Sequence, residues 1–91
     1  MTCPTVAPET TIDSGPRKVK KPKAKFRFSS SEPGLSFECR LDRRRFRPCT
    51  SPKGLKRLKE GRHEFFVRAI DSAGNVDPTP ARRRFKVELP E

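Results

Sequence analysis

His63-Glu64-Phe65-Phe66-Val67-Arg68-Ala69-Ile70-Asp71 places His63, Phe65, Val67 and Ala69 on one side and Glu64, Phe66, Arg68 and Ile70 on the other. A period of two belongs to an extended strand with one buried face, because successive side chains of a strand point to opposite faces. The second side is only half polar, so Phe66 and Ile70 are expected to lie under a neighbouring loop, the alternative being an exposed apolar spot at a contact with another domain or chain. The same rhythm recurs upstream. Ala24, Phe26 and Phe28 alternate with Lys25, Arg27 and Ser29, and Leu35, Phe37, Cys39 and Leu41 alternate with Ser36, Glu38, Arg40 and Asp42. A short edge strand over residues 10–13 is anchored by Ile12, and a last strand over residues 83–89 turns Phe85, Val87 and Leu89 inward.

Turn chemistry separates these runs. Residues 29–34 (SSSEPG), 59–62 (KEGR) and 72–75 (SAGN) are rich in Ser, Gly and Asn, and residues 77–80 (DPTP) read as an extended loop. Arg43, Arg44 and Arg45 form a basic turn that leads into Phe46-Arg47-Pro48-Cys49, which folds back as a hairpin partner before residues 50–54 break the pattern. Leu55 and Leu58 are expected to close the bottom of the core. Residues 17–25 (RKVKKPKAK) are a charge run, and Pro22 keeps them to a loop or a sheet edge. The 91 residues include ten Pro and five Gly, and no long apolar run has helical periodicity. Such spacing predicts an all-β protein, an antiparallel two-sheet sandwich of six to seven strands. One domain is expected over residues 9–90, with residues 1–8 as a linker or N-terminal tail. Only 31% of the residues are hydrophobic, so the core must be thin and gains from a covalent staple.

Lys and Arg number 22 against 11 Asp and Glu, a net charge of +11. That excess attracts polyanions at low salt without choosing among nucleic acid, cell-wall polymer, acidic polysaccharide and anionic headgroups. No stretch reaches the 18 or so apolar residues of a membrane span, and residues 1–16 lack the apolar centre of a signal peptide. For an exported protein, the signal is therefore expected on a longer parent chain. Enzymatic readings lack parts: His63 is the single histidine, and there is no Gly-rich phosphate loop or nucleophile elbow. No catalytic residue, cofactor or metal is expected. Asp71, Asn75 and Asp77 offer oxygens for calcium, with Glu32 nearby, but Asp and Asn at such turns more commonly bond backbone groups.

The pieces FSSSEPG (28–34), FECRLD (37–42), FRPCTSP (46–52) and VRAIDSAGNVDPTPA (67–81), with PETTIDSGP (8–16) before them, resemble the immunoglobulin-like, fibronectin type III-like repeats of bacterial secreted and surface proteins. The resemblance spans residues 8–89. It implies an antiparallel sandwich used as a spacer or adhesion module, often in tandem with neighbouring repeats, and no catalytic site. The chain departs from that pattern after Asp42, where the family tends to carry Gly, and on solvent faces, where Arg and Lys replace Ser, Thr and Gly. Cys39 and Cys49 fall in the family's paired positions. A three-residue turn at Arg43, Arg44 and Arg45 would set Cys39 opposite Cys49, within disulfide reach. Two reduced thiols or a zinc site are the alternatives, and the spacing suits zinc poorly. Cys3 is left over, either reactive or joined to another chain.

Four basic clusters, residues 18–25, 40–47, 53–59 and 82–86, are separate in sequence. Were the strands of Arg40 and Arg68 neighbours, Arg40, Arg43, Arg44, Arg45, Arg47, Arg68 and Arg84 would share one positive sheet face for polyanion binding. The bland alternative is that these charges keep the domain soluble and its edges unpaired. The function expected is a non-enzymatic structural or adhesion module at the cell surface or outside the cell, its basic face binding an anionic cell-wall polymer, polysaccharide or other polyanion. Nucleic-acid binding is the rival. It is disfavoured because there is no Trp or Tyr and nearly all seven Phe are expected in the core.

Overall fold

The computed structural model of the chain describes residues 9–31 and 35–89. The expected tail over residues 1–8 with Cys3, the Glu32-Pro33-Gly34 turn and the end of the domain at residue 90 lie outside them. Among the described residues there is no helix, and eight strands follow in order: β1 (Thr10–Ser14), β2 (Lys18–Val19), β3 (Ala24–Ser30), β4 (Ser36–Leu41), β5 (Arg47–Cys49), β6 (Lys53–Leu55), β7 (Gly61–Ile70) and β8 (Ala81–Val87). They form a three-stranded sheet in the order β1-β3-β6 and a five-stranded sheet in the order β2-β8-β7-β4-β5.

The all-β, two-sheet expectation holds, with two corrections. Strands number eight rather than six to seven, because β2 and β6 are too short to show a period of two. β6 sits among residues read as a pattern break, where Ala24, Lys25 and Phe26 pair with Leu55, Gly54 and Lys53. The sheets are also not wholly antiparallel. Lys18 and Val19 run parallel to Lys86 and Val87, and Val19 packs half-buried against the core.

Alternation puts Phe26 and Phe28 of β3 opposite Phe65 and Val67 of β7 and Phe85 and Val87 of β8, with Cys39 and Leu58 joining the same cluster. Phe26, Phe65, Val67 and Val87 are fully buried. Phe26 lies on Phe65 with ring centroids 4.4 Å apart and planes 11° from parallel. Each such side chain contributes roughly 1.5–3 kcal/mol by leaving water. Leu58 closes the core as expected, while Leu55 is half-buried on β6.

Cys39 and Cys49 form the disulfide, with Cα atoms 5.8 Å apart. Their register differs from the one expected. Phe37 faces Cys49 and Cys39 faces Arg47, so the bridge runs diagonally between β4 and β5. The turn closes around Arg43 rather than Arg44, as the Arg44 N–H donating to the Leu41 carbonyl at 3.1 Å shows. Tightening by one position moves every partner by two, which leaves each side chain on its face. The positive φ that a Gly would supply falls on Asp42, at 55°, a residue type that tolerates it better than Arg.

The tightness of the core sets a test. A Cβ on Gly15 would run into the ring of Phe26, which has no exposed surface to retreat into, whereas a Cβ on Gly54 would meet nothing within 4 Å. Gly15→Ala is expected to lower unfolding free energy by roughly 1–3 kcal/mol, and Gly54→Ala to leave it unchanged or slightly raised, measured by urea denaturation. Reduction of the disulfide is expected to cost roughly 2–3 kcal/mol in the same assay.

Candidate functional site

β4 and β7 are neighbours, with Glu38 opposite Arg68 and Arg40 opposite Phe66, so Arg40, Arg68 and Arg84 do share the outer face of the five-stranded sheet. Carboxylates are interleaved among them. Arg68 donates from Nε and Nη2 to Glu38 Oε1 at 2.9 and 2.7 Å. Glu64 lies 3.4 Å from Arg84 and 3.5 Å from Arg82, and Glu88 lies 3.2 Å from both Lys18 and Lys86. Much of this face's positive charge is therefore answered locally.

Two of the seven Phe belong to this face, which corrects the expectation that the core uses nearly all of them. The Arg40 guanidinium lies 4.1 Å from the Phe66 ring centre and 4.9 Å from that of Phe46, and Arg68 lies 4.0 Å from Phe46. Phe66 is thus covered by an arginine rather than by a loop. A guanidinium is more weakly hydrated than an ammonium and stacks flat on aromatic rings, so it can shield them while remaining charged. Arg40 Nε is buried there without a hydrogen-bond partner.

The remaining arginines lie elsewhere. Where the sandwich is open between β5 and β6, a groove of about 920 Å³ has Arg44, Arg45, Arg47, Lys53 and Lys56 among its lining residues and, among the described residues, no Asp or Glu; Arg40 borders it too, but its guanidinium lies over Phe66 and Phe46 on the outer face. The groove floor is apolar, made by Leu41, Leu55, Phe65 and the Cys39–Cys49 bridge. None of these five cations is in an ion pair with the described residues. Pairing of β3 with β6 is what brings Lys53 and Lys56 across from the arginine hairpin. Sequence reasoning named the 53–59 cluster but left it out of the site, because β6 was not recognised as a strand. Arg43 is exposed at the hairpin tip and does not line the groove.

Both walls of the groove are rooted at His63. Its Nδ1 is 2.7 Å from Asp42 Oδ2, just before the hairpin tip, and its Nε2 is 2.7 Å from the Lys59 carbonyl, just after the other wall. Asp42 Oδ1 accepts the Glu64 N–H at 2.8 Å. Both ring nitrogens face acceptors, an arrangement that the imidazolium satisfies fully. Burial pulls its pKa down, but the Lys59 carbonyl and the Asp42 carboxylate outweigh burial and raise it above 6.5.

Asp71, Asn75 and Asp77 are spent on structure. Asp71 Oδ1 accepts from the N–H groups of Ala73 and Asn75, and its Oδ2 from Asn75 Nδ2. Asp77, only 3% exposed, accepts from Thr79 N and Oγ1 at Oδ1 and from Thr10 N and Oγ1 at Oδ2. Thr10 Oγ1 in turn accepts the Ala69 N–H, so Asp77 ties β1 to β7 across the two sheets. Among the described residues no group of His, Cys, Asp and Glu is placed to hold a metal ion.

Asp77→Ala is expected to destabilise the fold by roughly 2–4 kcal/mol, since it strands buried donors, in a thermal or urea denaturation assay. Burial raises the Asp77 pKa, yet the Thr79 and Thr10 donors together hold it below 3.8. Its contribution is therefore present above that pH and is lost as pH falls through the folded value. For His63 the sign is opposite. Its contribution is complete below pH 6.5 and is lost as pH rises through the raised folded value, so His63→Gln is expected to flatten the stability profile on the alkaline side of pH 6.5. No protein-family model and no curated protein matches the sequence, so the reading of the groove rests on its own chemistry.

Proposed function

We propose that the chain is a non-enzymatic, immunoglobulin-like structural or adhesion module of a secreted or cell-surface protein, and that its groove between β5 and β6 holds anionic polymers. The observation that carries this reading is the groove wall of five cations, Arg44, Arg45, Arg47, Lys53 and Lys56, without a carboxylate among the described residues. An anion entering it meets guanidinium and ammonium groups whose charge no described side chain has already neutralised, and three of them, Arg44, Arg45 and Arg47, come from one hairpin. Arginine suits sulfate, phosphate and carboxylate because its planar fork donates two parallel hydrogen bonds. The disulfide supports an oxidising compartment. Among the described residues no helix is long and apolar enough to cross a membrane.

Nucleic-acid binding is the second reading, favoured by Phe46 and Phe66 standing outside the core among arginines. Guanidinium groups already cover both rings, so a base would have to displace Arg40 or Arg68 to stack there.

Retention on immobilised heparin, duplex DNA and single-stranded DNA over a salt gradient separates the readings. The expected result is strongest retention on heparin, with Arg47→Glu combined with Lys53→Glu weakening affinity by about ten-fold or more, ~1.4 kcal/mol, while Arg84→Glu changes it little. Preferential retention of single-stranded DNA, lost on Phe46→Ala and untouched by the groove substitutions, would transfer the function to the outer face.

A further inference from the structure

The cationic groove does not stop at its basic end. A second groove of about 920 Å³ shares Pro48, Cys49, Lys53 and Gly54 with it, so the two run together along the open side of the sandwich. Among the described residues Lys53 is the only charged one lining this second stretch. Apart from Lys53, its walls are Leu35, Phe37, Pro48, Pro52 and short hydroxyl side chains. Leu41 and Leu55 under the cations, and Leu35 and Phe37 beyond them, are all half-buried rather than sealed. The channel is thus amphipathic along its own length, with cations over an apolar floor at one end and an uncharged, largely apolar trough at the other.

A uniformly charged chain uses only the first half of such a channel, because an anion in the second half would lose water and gain one lysine. We infer that the preferred occupant is an anionic amphiphile, a phosphate or sulfate head carried on a single alkyl chain. The head sits among Arg44, Arg45, Arg47, Lys53 and Lys56, and the chain lies along Leu41, the disulfide, Phe37 and Leu35. This rests on the anion-binding reading of the groove and narrows its ligand class. Head and chain contribute separately. The head is held by charge-assisted hydrogen bonds that weaken with salt, and the chain by apolar burial that does not.

Titration with octyl, decyl and dodecyl phosphate below their micelle concentrations, beside inorganic phosphate, dextran sulfate and dodecyl maltoside, tests it. The readouts are calorimetry and methyl chemical shifts of Leu35, Leu41 and Leu55. Each added pair of methylenes is expected to tighten binding roughly ten-fold. Lys53→Glu combined with Arg47→Glu should weaken the whole alkyl phosphate series by one common factor and leave the chain-length slope intact. Dodecyl maltoside should bind far more weakly than dodecyl phosphate. An affinity that ignores chain length, or binding that begins only with micelles, overturns the inference. If dextran sulfate still binds the groove in that case, the polyanion reading survives alone, and if neither binds, both fall. A steep chain-length slope without dextran sulfate binding would keep the amphiphile and remove the polymer.

Discussion

The two sheets meet where the Phe26 ring lies flat on Phe65. Phe85 tilts against the same ring of Phe26 at 5.2 Å, and Phe28 reaches Phe65 at 6.3 Å and Phe37 at 4.9 Å. With so small a hydrophobic fraction, this aromatic layer takes the place of a deep aliphatic core. Its position dictates what surrounds it. The passage from β1 to β2 must carry a glycine over Phe26. The layer also leaves the side of the sandwich between β5 and β6 uncovered, so the groove is a consequence of a core that ends early rather than of an added loop.

Charge is distributed over that scaffold in two different ways. On the outer face, cross-strand register brings Glu38 to Arg68 and Glu64 to Arg84, and pairs of this kind on an exposed sheet add specificity and solubility more than stability. Along the groove the same excess of arginine and lysine is left without ion-pair partners among the described residues. Like charges held near one another over an apolar floor destabilise a fold unless counterions or a ligand answer them. Their concentration along the groove is harder to explain as solubility than the scattered cations of the face. The diagonal disulfide and the Asp42–His63–Lys59 contacts hold both walls against that repulsion.

Sheet architecture was legible because its cause is local: alternation in residues 24–29, 35–42 and 63–70 reports which side is buried wherever a strand is long enough to repeat. It could not report β2 and β6, which have two and three residues and exist only because a neighbour offers hydrogen bonds. That blind spot also cost the site its second wall, since Lys53 and Lys56 face the hairpin only once β6 pairs with β3. Hairpin register was hidden for another reason. Nothing in Arg43-Arg44-Arg45 marks a positive φ, and the residue that adopts it, Asp42, is stabilised by contacts with His63 and Glu64 from a strand about twenty positions away. Alternation put Phe66 on the outer side but left its cover to a loop, and Phe46 was counted with the core Phe; Arg40 and Arg68 supply the cover of both rings through stacking that no periodicity encodes.

His63 shows how these layers are joined. Its ring stacks on Phe85, 5.4 Å away, within the aromatic layer, while its two nitrogens bind the roots of the groove walls. A neutral imidazole has one N–H and one lone pair, so it cannot donate to both Asp42 and the Lys59 carbonyl. Loss of the proton therefore turns one of the two contacts into a meeting of lone pairs. Charge on this ring and geometry of the groove are consequently linked: the state that adds a cation beside Arg44 is also the state that braces the segments carrying Arg44, Arg47, Lys53 and Lys56. Electrostatic attraction and wall rigidity thus change in the same direction with pH, and under the proposed function an anion bound in the groove would favour the cationic state and with it the brace.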